Sequence, residues 1–175
     1  ASSAFSFQNA SEGHVVGAEL SVRRRLDFLG SFFDAFALVG NFSLIDSEVT
    51  VLTRGAFIPT NEKRRLEGQS PYVVNLNLVW QSDGGATEVG AFYNVFGPRI
   101  EAAGGSGVPD IEESARNVVD LTFRQQVTNR LGVTLKAENL LDSPYRWQQS
   151  ANGVTRIQRE YRVGRSVSIG LSYGN

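Results

Sequence analysis

The sequence predicts an all-β protein, an antiparallel transmembrane β-barrel segment of about eight strands. Apolar and polar residues alternate with a period of two along much of the 175-residue chain, as expected for strands whose two faces meet different environments. Short and long connections alternate between these strands. A membrane-spanning helix needs about 20 mostly apolar residues, and the longest stretch without a charge, residues 68–82, contains Asn75, Asn77 and Gln81.

Residues 72–81 form the clearest predicted strand. The even positions include Leu76 and Leu78, whereas the odd positions include Asn75 and Asn77. Successive side chains point to opposite faces of a strand. One face of this segment is therefore apolar, and the other carries amides.

The other predicted strands follow the same alternation, and no helix is predicted. They comprise residues 3–7, 15–26, 35–47, 87–96, 117–126, 131–139 and 163–173. From the second of these onward, the apolar positions include Val16, Leu20 and Val22; Phe36, Leu38 and Phe42; Val89, Ala91 and Tyr93; Val119, Leu121 and Phe123; Val133, Leu135 and Ala137; and Val167, Ile169 and Leu171. The intervening positions carry mostly small, polar or charged residues.

Connection lengths distinguish a membrane barrel from a soluble one. The short connections are 27–34, 82–86 and 128–130, and the long ones are 48–70, 97–116 and 140–162. Short periplasmic turns alternating with long outer loops are typical of outer-membrane barrels. The apolar rows are therefore predicted to face lipid and the polar rows to face a wet interior.

Aromatic and basic residues fit this orientation. Aromatic side chains fall at the two predicted membrane boundaries, where amphipathic rings are favoured. They are Phe28, Phe32, Phe33, Trp80 and Tyr173 at the short-turn end, and Tyr72 and Phe96 at the long-loop end. Arg24 lies on the lipid-facing side of its strand but close to a turn, where a charge is tolerated.

Composition and motifs favour no catalytic function. A net charge of −1 gives no electrostatic reason to expect nucleic acid, and the absence of Cys excludes a disulfide or Cys-based metal site. His14, the single histidine, is expected to be solvated. Asp110, Glu112 and Glu113 carry cation-binding groups, but solvated loop acids are the favoured interpretation. The chain is predicted not to be an enzyme, with no catalytic residue, cofactor or metal ligand.

Four sequence stretches carry a resemblance to a known family. Residues 66–75 read LEGQSPYVVN, residues 93–100 read YNVFGPRI, residues 137–145 read AENLLDSPY, and residues 161–166 read YRVGRS before a final alternating strand. In combination, these motifs resemble the C-terminal part of the barrel of TonB-dependent outer-membrane receptors. The resemblance extends from about residue 14 to the end of the chain.

The resemblance implies a transport function in the outer membrane of a Gram-negative bacterium. Residues 1–175 would be the C-terminal part of a larger barrel of about 22 strands, with a plug domain that is not in this chain. The expected partners are outer-membrane lipid, the rest of the barrel, the plug, TonB through an absent N-terminal part, and an unknown transported ligand. A structural role is implied for the motif residues Asn139, Leu140, Leu141, Asp142, Tyr145, Gly164 and Arg165.

Arginines around the last long connection are the candidate ligand contacts. Arg146, Arg156 and Arg159 are the named candidates, because guanidinium groups bind carboxylate or phosphate with two hydrogen bonds. The favoured alternative is structural: this arginine-rich region pairs with interior acids such as Glu138 and Asp120, or with the plug.

Two other functional classes remain open from the sequence. The chain is alternatively a self-contained eight-stranded outer-membrane barrel with a structural or adhesin role, since eight strands can close around packed side chains. The third class is an enzyme, but the sequence offers no nucleophile with a matching general base.

Overall fold

The computed structural model describes residues 9–53 and 58–174. The predicted strand at residues 3–7 lies outside these ranges. The described strands are β1 (Glu12–Arg25), β2 (Phe36–Thr50), β3 (Lys63–Arg64), β4 (Tyr72–Gln81), β5 (Thr87–Phe96), β6 (Arg99–Ala102), β7 (Ile111–Glu113), β8 (Arg116–Gln126), β9 (Leu131–Glu138), β10 (Tyr145–Ala151), β11 (Val154–Tyr161) and β12 (Ser166–Tyr173). In the described part, helical structure is limited to the 3-10 turns Asp27–Leu29, Ser31–Phe33 and Asp83–Gly85.

Seven long strands form one antiparallel sheet in the order β1-β2-β4-β5-β8-β9-β12, with the short β3 paired to β2. The predicted all-β antiparallel fold is confirmed, and the predicted bounds of β4 and β5 match the structure. The last strand begins at Ser166 rather than at residue 163, because Gly164 has a φ of 82° and interrupts the extended backbone. No helix in the described ranges is long and apolar enough to cross a membrane.

Strand register places the apolar rows on one continuous face of the sheet. Directly opposed residues on neighbouring strands share a face. One apolar row crosses β1, β2, β4 and β5 and consists of Leu20, Phe42, Val74 and Val95. A second row runs from β2 to β12 and consists of Leu38, Leu78, Ala91, Leu121, Ala137 and Val167. Many of these side chains are exposed, among them Leu78 and Leu121. The aliphatic rows therefore face outward rather than pack into a core.

The opposite face of the sheet is largely polar. Asn75 accepts a hydrogen bond of 2.6 Å from Asn94, Asn41 donates to Ser21, and Ser43 donates to Glu19. These contacts run between neighbouring strands, so polar groups on this face satisfy one another across the sheet. The face is suited to a wet interior.

Apolar burial is confined to the long-loop end of the sheet and the loops above it. Among the described residues, the apolar side chains that are buried are Val49, Val51, Val95, Ile100 and Trp147. Of the aliphatic-face residues named above, Val95 is buried and the others are half-buried or exposed. This distribution is the reverse of that in a water-soluble barrel, where aliphatic rows fill the interior.

The long connections contain strands that the sequence pattern did not predict. Strands β6, β7, β10 and β11 form a second antiparallel sheet in the order β11-β10-β7-β6. Their sequences lack a sustained apolar alternation, because most of their side chains are half-buried or exposed and only Ile100, Glu113 and Trp147 of these strands are buried. Residues 97–116 and 140–162 are thus not simple loops.

Three aromatic rings at the short-turn end, Phe32, Phe33 and Phe36, contact one another. Phe28 and Phe32 are strongly exposed, and the rings of Phe32 and Phe33 meet edge to face with centroids 5.1 Å apart. Phe96 differs from the prediction, because its position in the alternation places it on the polar face. There the Arg99 guanidinium covers its ring at 4.6 Å.

Candidate ligand-binding surface at the long-loop end

Hydrogen bonds join the three long connections into one lobe. The Thr60 amide donates to the Gly104 carbonyl at 3.1 Å, which ties the first connection to the second. Trp147 pairs with Glu113, and the Gln149 side chain donates to the Pro109 carbonyl at 2.7 Å, which ties the second to the third. Since backbone pairing is cooperative within a sheet, these segments are held in one mutual arrangement.

Three aromatic rings stack in this lobe. The ring centroids of Tyr145 and Tyr161 are 5.1 Å apart, and those of Trp147 and Tyr161 are 5.6 Å apart. Arg159 lies over the Trp147 ring at 3.8 Å, and Arg116 lies over the Tyr145 ring at 4.0 Å. Cations are attracted to ring faces, most strongly to Trp, so both guanidinium groups are held in position by the rings.

The arginines of the lobe divide into paired and unpaired groups. Arg99 pairs with the buried Glu113 at 2.7 Å, Arg146 with Glu160 at 2.6 Å, and Arg162 with Asp142 at 3.6 Å. In the described ranges, the remaining arginines of this lobe form no ion pair with a carboxylate. They are Arg65, Arg116, Arg156, Arg159 and Arg165; Arg64, in the first connection, belongs to the paired group through Glu67 at 3.0 Å.

Two of the three candidate ligand contacts share a face of the second sheet. Trp147 is opposite Arg159, and Gln149 is opposite Arg156, so these four side chains lie on one face. Arg146 is the neighbour of Trp147 in β10 and points to the other face, where it pairs with Glu160. The surface that carries Arg156, Arg159 and the exposed Tyr161 ring is called the arginine–aromatic face below.

We expect Arg159→Ala to uncover Trp147. The indole is only 7% exposed, and the Arg159 guanidinium lies directly on its ring. Removing that group admits water to the ring, so Trp147 emission should shift to longer wavelength. The measurement uses a Trp80→Phe background, which leaves Trp147 as the single tryptophan of residues 1–175, and reads the shift as a difference from that background.

Arg156→Ala is the matched control, because Arg156 lies on the same strand and face without a ring contact among the described residues. It should leave the emission unchanged. An equal shift in both variants would contradict the stacking of Arg159 on Trp147.

The motif residues form a compact hydrogen-bonded cluster at the base of the lobe, which is called the knot below. Asn139 is buried, its Nδ2 donates to the Gly164 carbonyl at 2.6 Å, and its Oδ1 accepts from the Ser143 amide at 3.2 Å. The Asn139 amide donates to the Asp120 carboxylate at 2.7 Å. The Arg165 Nε donates to the Leu140 carbonyl at 2.8 Å. The motif thus joins the ends of β8, β9 and β10 to the start of β12.

Strained turn geometry explains the residue types in this knot. Asn139 and Asp142 have φ values of 54° and 46°, and Gly164 has 82°. Asn, Asp and Gly tolerate this left-handed region better than other residues. Leu140, by contrast, contributes backbone groups, since its amide donates to the Val119 carbonyl. Leu141 is exposed, and Tyr145 belongs to the ring stack.

The acids named from the sequence have other partners than those considered. Asp120 accepts from the Asn139 backbone amide, and Glu138 accepts from the Ser166 hydroxyl at 3.1 Å. Neither carboxylate forms an ion pair with an arginine of residues 9–53 or 58–174. Asp110 accepts from the Gly104 amide at 2.6 Å and from the Asn61 side chain at 3.0 Å.

His14 and the loop acids form no metal centre in the described part of the chain. His14 lies within β1, opposite Glu48. Glu113 pairs with Arg99, and Glu112 is opposite Gln148 on β10. Over the described ranges, no group of three His, Cys, Asp or Glu side chains is arranged to hold a metal ion.

Sequence reasoning missed Trp147, Tyr161 and Arg116 as members of the surface. The segment Tyr145-Arg-Trp147 alternates aromatic and basic residues, and this was the available signal. It indicates a strand with one aromatic face. It does not show that Arg116, 29 positions before Tyr145, lies on the same stack.

One face of the sheet is aliphatic and exposed, and the opposite face is polar. Short turns lie at one end of the sheet, and the hydrogen-bonded lobe lies at the other. This arrangement is that of the wall of an outer-membrane β-barrel. A family model described as TonB dependent receptor-like, beta-barrel matches residues 1–140. The chain therefore belongs to the TonB-dependent receptor barrel family, whose members are outer-membrane transporters. No curated protein and no solved structure matches the chain.

Proposed function

We propose that this chain forms part of the wall and outer loops of a receptor that takes up a ligand across the outer membrane with energy supplied through TonB. Residues 1–175 are the C-terminal part of its barrel, and a plug domain is supplied by sequence outside this chain. The chain performs no chemistry itself. It contributes a lipid-facing wall, a pore-facing polar surface and a ligand-capturing lobe.

The exposed aliphatic face of the sheet carries this proposal. On soluble monomers, a continuous exposed apolar patch commonly covers only a few hundred Å². Here every long strand contributes apolar side chains to the same face, so the apolar surface extends across the whole sheet. Lipid is the solvent that makes such a face stable. The open sheet also favours a larger barrel over a self-contained one, because β1 and β12 do not pair in the described ranges, and an open edge is not tolerated in hydrocarbon.

Cell fractionation of the whole protein tests the assignment. We expect the protein in the outer-membrane fraction. It should migrate faster in a detergent gel before heating than after heating, because a folded barrel resists unfolding by the gel detergent until it is heated. Recovery of a detergent-independent soluble monomer would overturn the transport assignment.

We further assign ligand capture to the arginine–aromatic face. Arg156 and Arg159 are free of carboxylate partners in the described ranges, and both lie on the face that carries the ring stack, with Arg159 directly over Trp147. A guanidinium that needs no internal partner is available to an anionic group. Arg146 is excluded from direct capture in this proposal, because Glu160 already neutralises it.

Binding of pyranine, a fluorescent trisulfonate, tests this capture surface on the whole receptor in detergent. The double variant Arg156→Gln/Arg159→Gln should weaken probe binding about tenfold or more, since two charge-assisted contacts are lost. Fluorescence anisotropy measures the affinity, and added salt should reduce it for the unmodified receptor.

Arg146→Gln is the control for charge alone, because it removes one positive charge from the opposite face of β10. It should leave pyranine binding nearly unchanged. If it weakens binding as much as the double variant, the probe senses net charge and not this face.

A further inference from the structure

Three consecutive arginines end β1 and alternate between the two faces of the sheet. Arg23 is opposite Val39, and Arg25 is opposite Ala37, both on the polar face. Arg24 is opposite Leu38, in the row that continues to Leu78. Arg24 is therefore a permanent cation on an otherwise aliphatic, exposed face.

Protein groups do not neutralise Arg24 in the described part of the chain. The described ion pairs involve Lys63, Arg64, Arg99, Arg124, Arg146 and Arg162, and Arg24 is not among them. Its described contact is with the Phe28 ring, whose centroid lies 5.1 Å from the Arg24 Cζ. Arg25 differs, because it donates to the Asp34 carbonyl at 2.8 Å.

The direction of the Arg24 side chain matches a membrane boundary. Phe28 lies in the short turn after β1, so the guanidinium reaches from the strand toward the turn end. Long basic side chains extend in this way from an apolar surface to the polar interface. The Phe28 ring that the cation reaches is 60% exposed, and Phe32, in the same short connection, is 75% exposed.

Lipid headgroups offer the complement to such a cation. At the membrane boundary, the abundant anionic groups are headgroup phosphates, and Arg binds phosphate with two parallel hydrogen bonds. The Phe28 and Phe32 rings and the aliphatic row beside Leu38 provide contact for acyl chains. The requirement for a partner arises because an unpaired charge next to hydrocarbon is unfavourable.

We propose that Arg24, Phe28 and Phe32 form a binding site for the phosphodiester headgroup of a phospholipid in the leaflet on the short-turn side. The site rests on the proposed function, because it needs the aliphatic face to meet lipid. It assigns to Arg24 a specific lipid contact that anchors the start of the sheet at the membrane boundary.

Native mass spectrometry of the whole receptor in detergent, titrated with phosphatidylglycerol, tests this site. Arg24→Gln should lower the apparent affinity for the lipid about tenfold, as expected for loss of one charge-assisted contact. Arg23→Gln is the matched control: it changes the same residue type one position away, but on the polar face. It should leave lipid retention unchanged.

Further arms identify the ligand and guard against misfolding. Uncharged diacylglycerol should bind equally to the unmodified receptor and to Arg24→Gln, and inorganic phosphate should not displace the phospholipid. If Arg24→Gln fails to fold, Arg24→Lys keeps the charge without the paired hydrogen bonds, and its lipid affinity should fall below that of the unmodified receptor.

The results separate this site from the transport assignment. Equal lipid retention in the Arg24 and Arg23 variants, or binding of inorganic phosphate as tightly as phospholipid, would overturn the lipid site while the barrel remains folded. An unmodified receptor without heat-modifiable mobility in lipid vesicles would instead overturn the proposed function.

Discussion

Leu76→Arg should destabilise the folded, membrane-inserted protein by about 2–4 kcal/mol, the cost of a cation on the lipid face at the midplane of a barrel. Leu76 lies near the centre of β4, is 43% exposed, and faces outward with its side chain over Gly40. An arginine at this depth cannot reach either interface without distorting its surroundings. Denaturant unfolding of the whole receptor from lipid vesicles, followed by gel mobility, measures the loss.

Asn77→Arg is the matched control for this substitution. Asn77 is the next residue of β4, and it lies opposite Val39 and Phe92 on the polar face. The same side chain should cost less than about 1 kcal/mol there, because water reaches it. Equal losses at the two positions would mean that both faces of the sheet meet the same environment, and the lipid-facing assignment would fail.

Asn139→Ala should have the second largest effect, a loss of about 2–4 kcal/mol from two removed hydrogen bonds and a left-handed backbone that alanine disfavours. The Gly164 carbonyl and the Ser143 amide both lose a partner near a buried position. Because Gly164 lies two residues before β12, backbone amides of β12 should exchange faster with solvent. Hydrogen exchange and denaturant unfolding of the whole receptor measure the two effects.

Two variants separate the causes of this loss. Asn152 has a similar φ of 51° in the exposed turn between β10 and β11, so Asn152→Ala tests the backbone term without a buried side chain. It should cost about 1 kcal/mol. Asn139→Gly removes the same hydrogen bonds as Asn139→Ala without the backbone strain, so its loss of stability should lie between those of the two alanine variants. If Asn139→Ala costs no more than Asn152→Ala, the hydrogen bonds of the knot add no stability.

The lobe changes how ligand capture by this chain is understood. Long outer loops are usually regarded as independent and variable segments. Here residues 97–116 and 140–162 share a sheet, and residues 58–62 are bonded to the first of them. A ligand that contacts Arg159 therefore meets a surface whose geometry also depends on Glu113 and Arg99.

The sequence by itself determined which face of each long strand is apolar and where the short turns lie. The period of two is a property of the local backbone, so Leu76 and Asn77 reveal opposite faces without any knowledge of their neighbours. The bounds of β4 and β5 followed directly. The position of Arg24 beside a turn was evident for the same reason.

Only the tertiary structure decided how the long connections fold and which of their side chains lie together. The pairing of Trp147 with Glu113, and the placement of Arg116 on Tyr145, bring together residues that are about 30 positions apart. Most side chains of that second sheet are half-buried or exposed, so no apolar alternation marked its strands. Arg146 and Arg159 are alike in sequence, yet one is neutralised by Glu160 and the other is held on an indole, because the strand register places them on opposite faces.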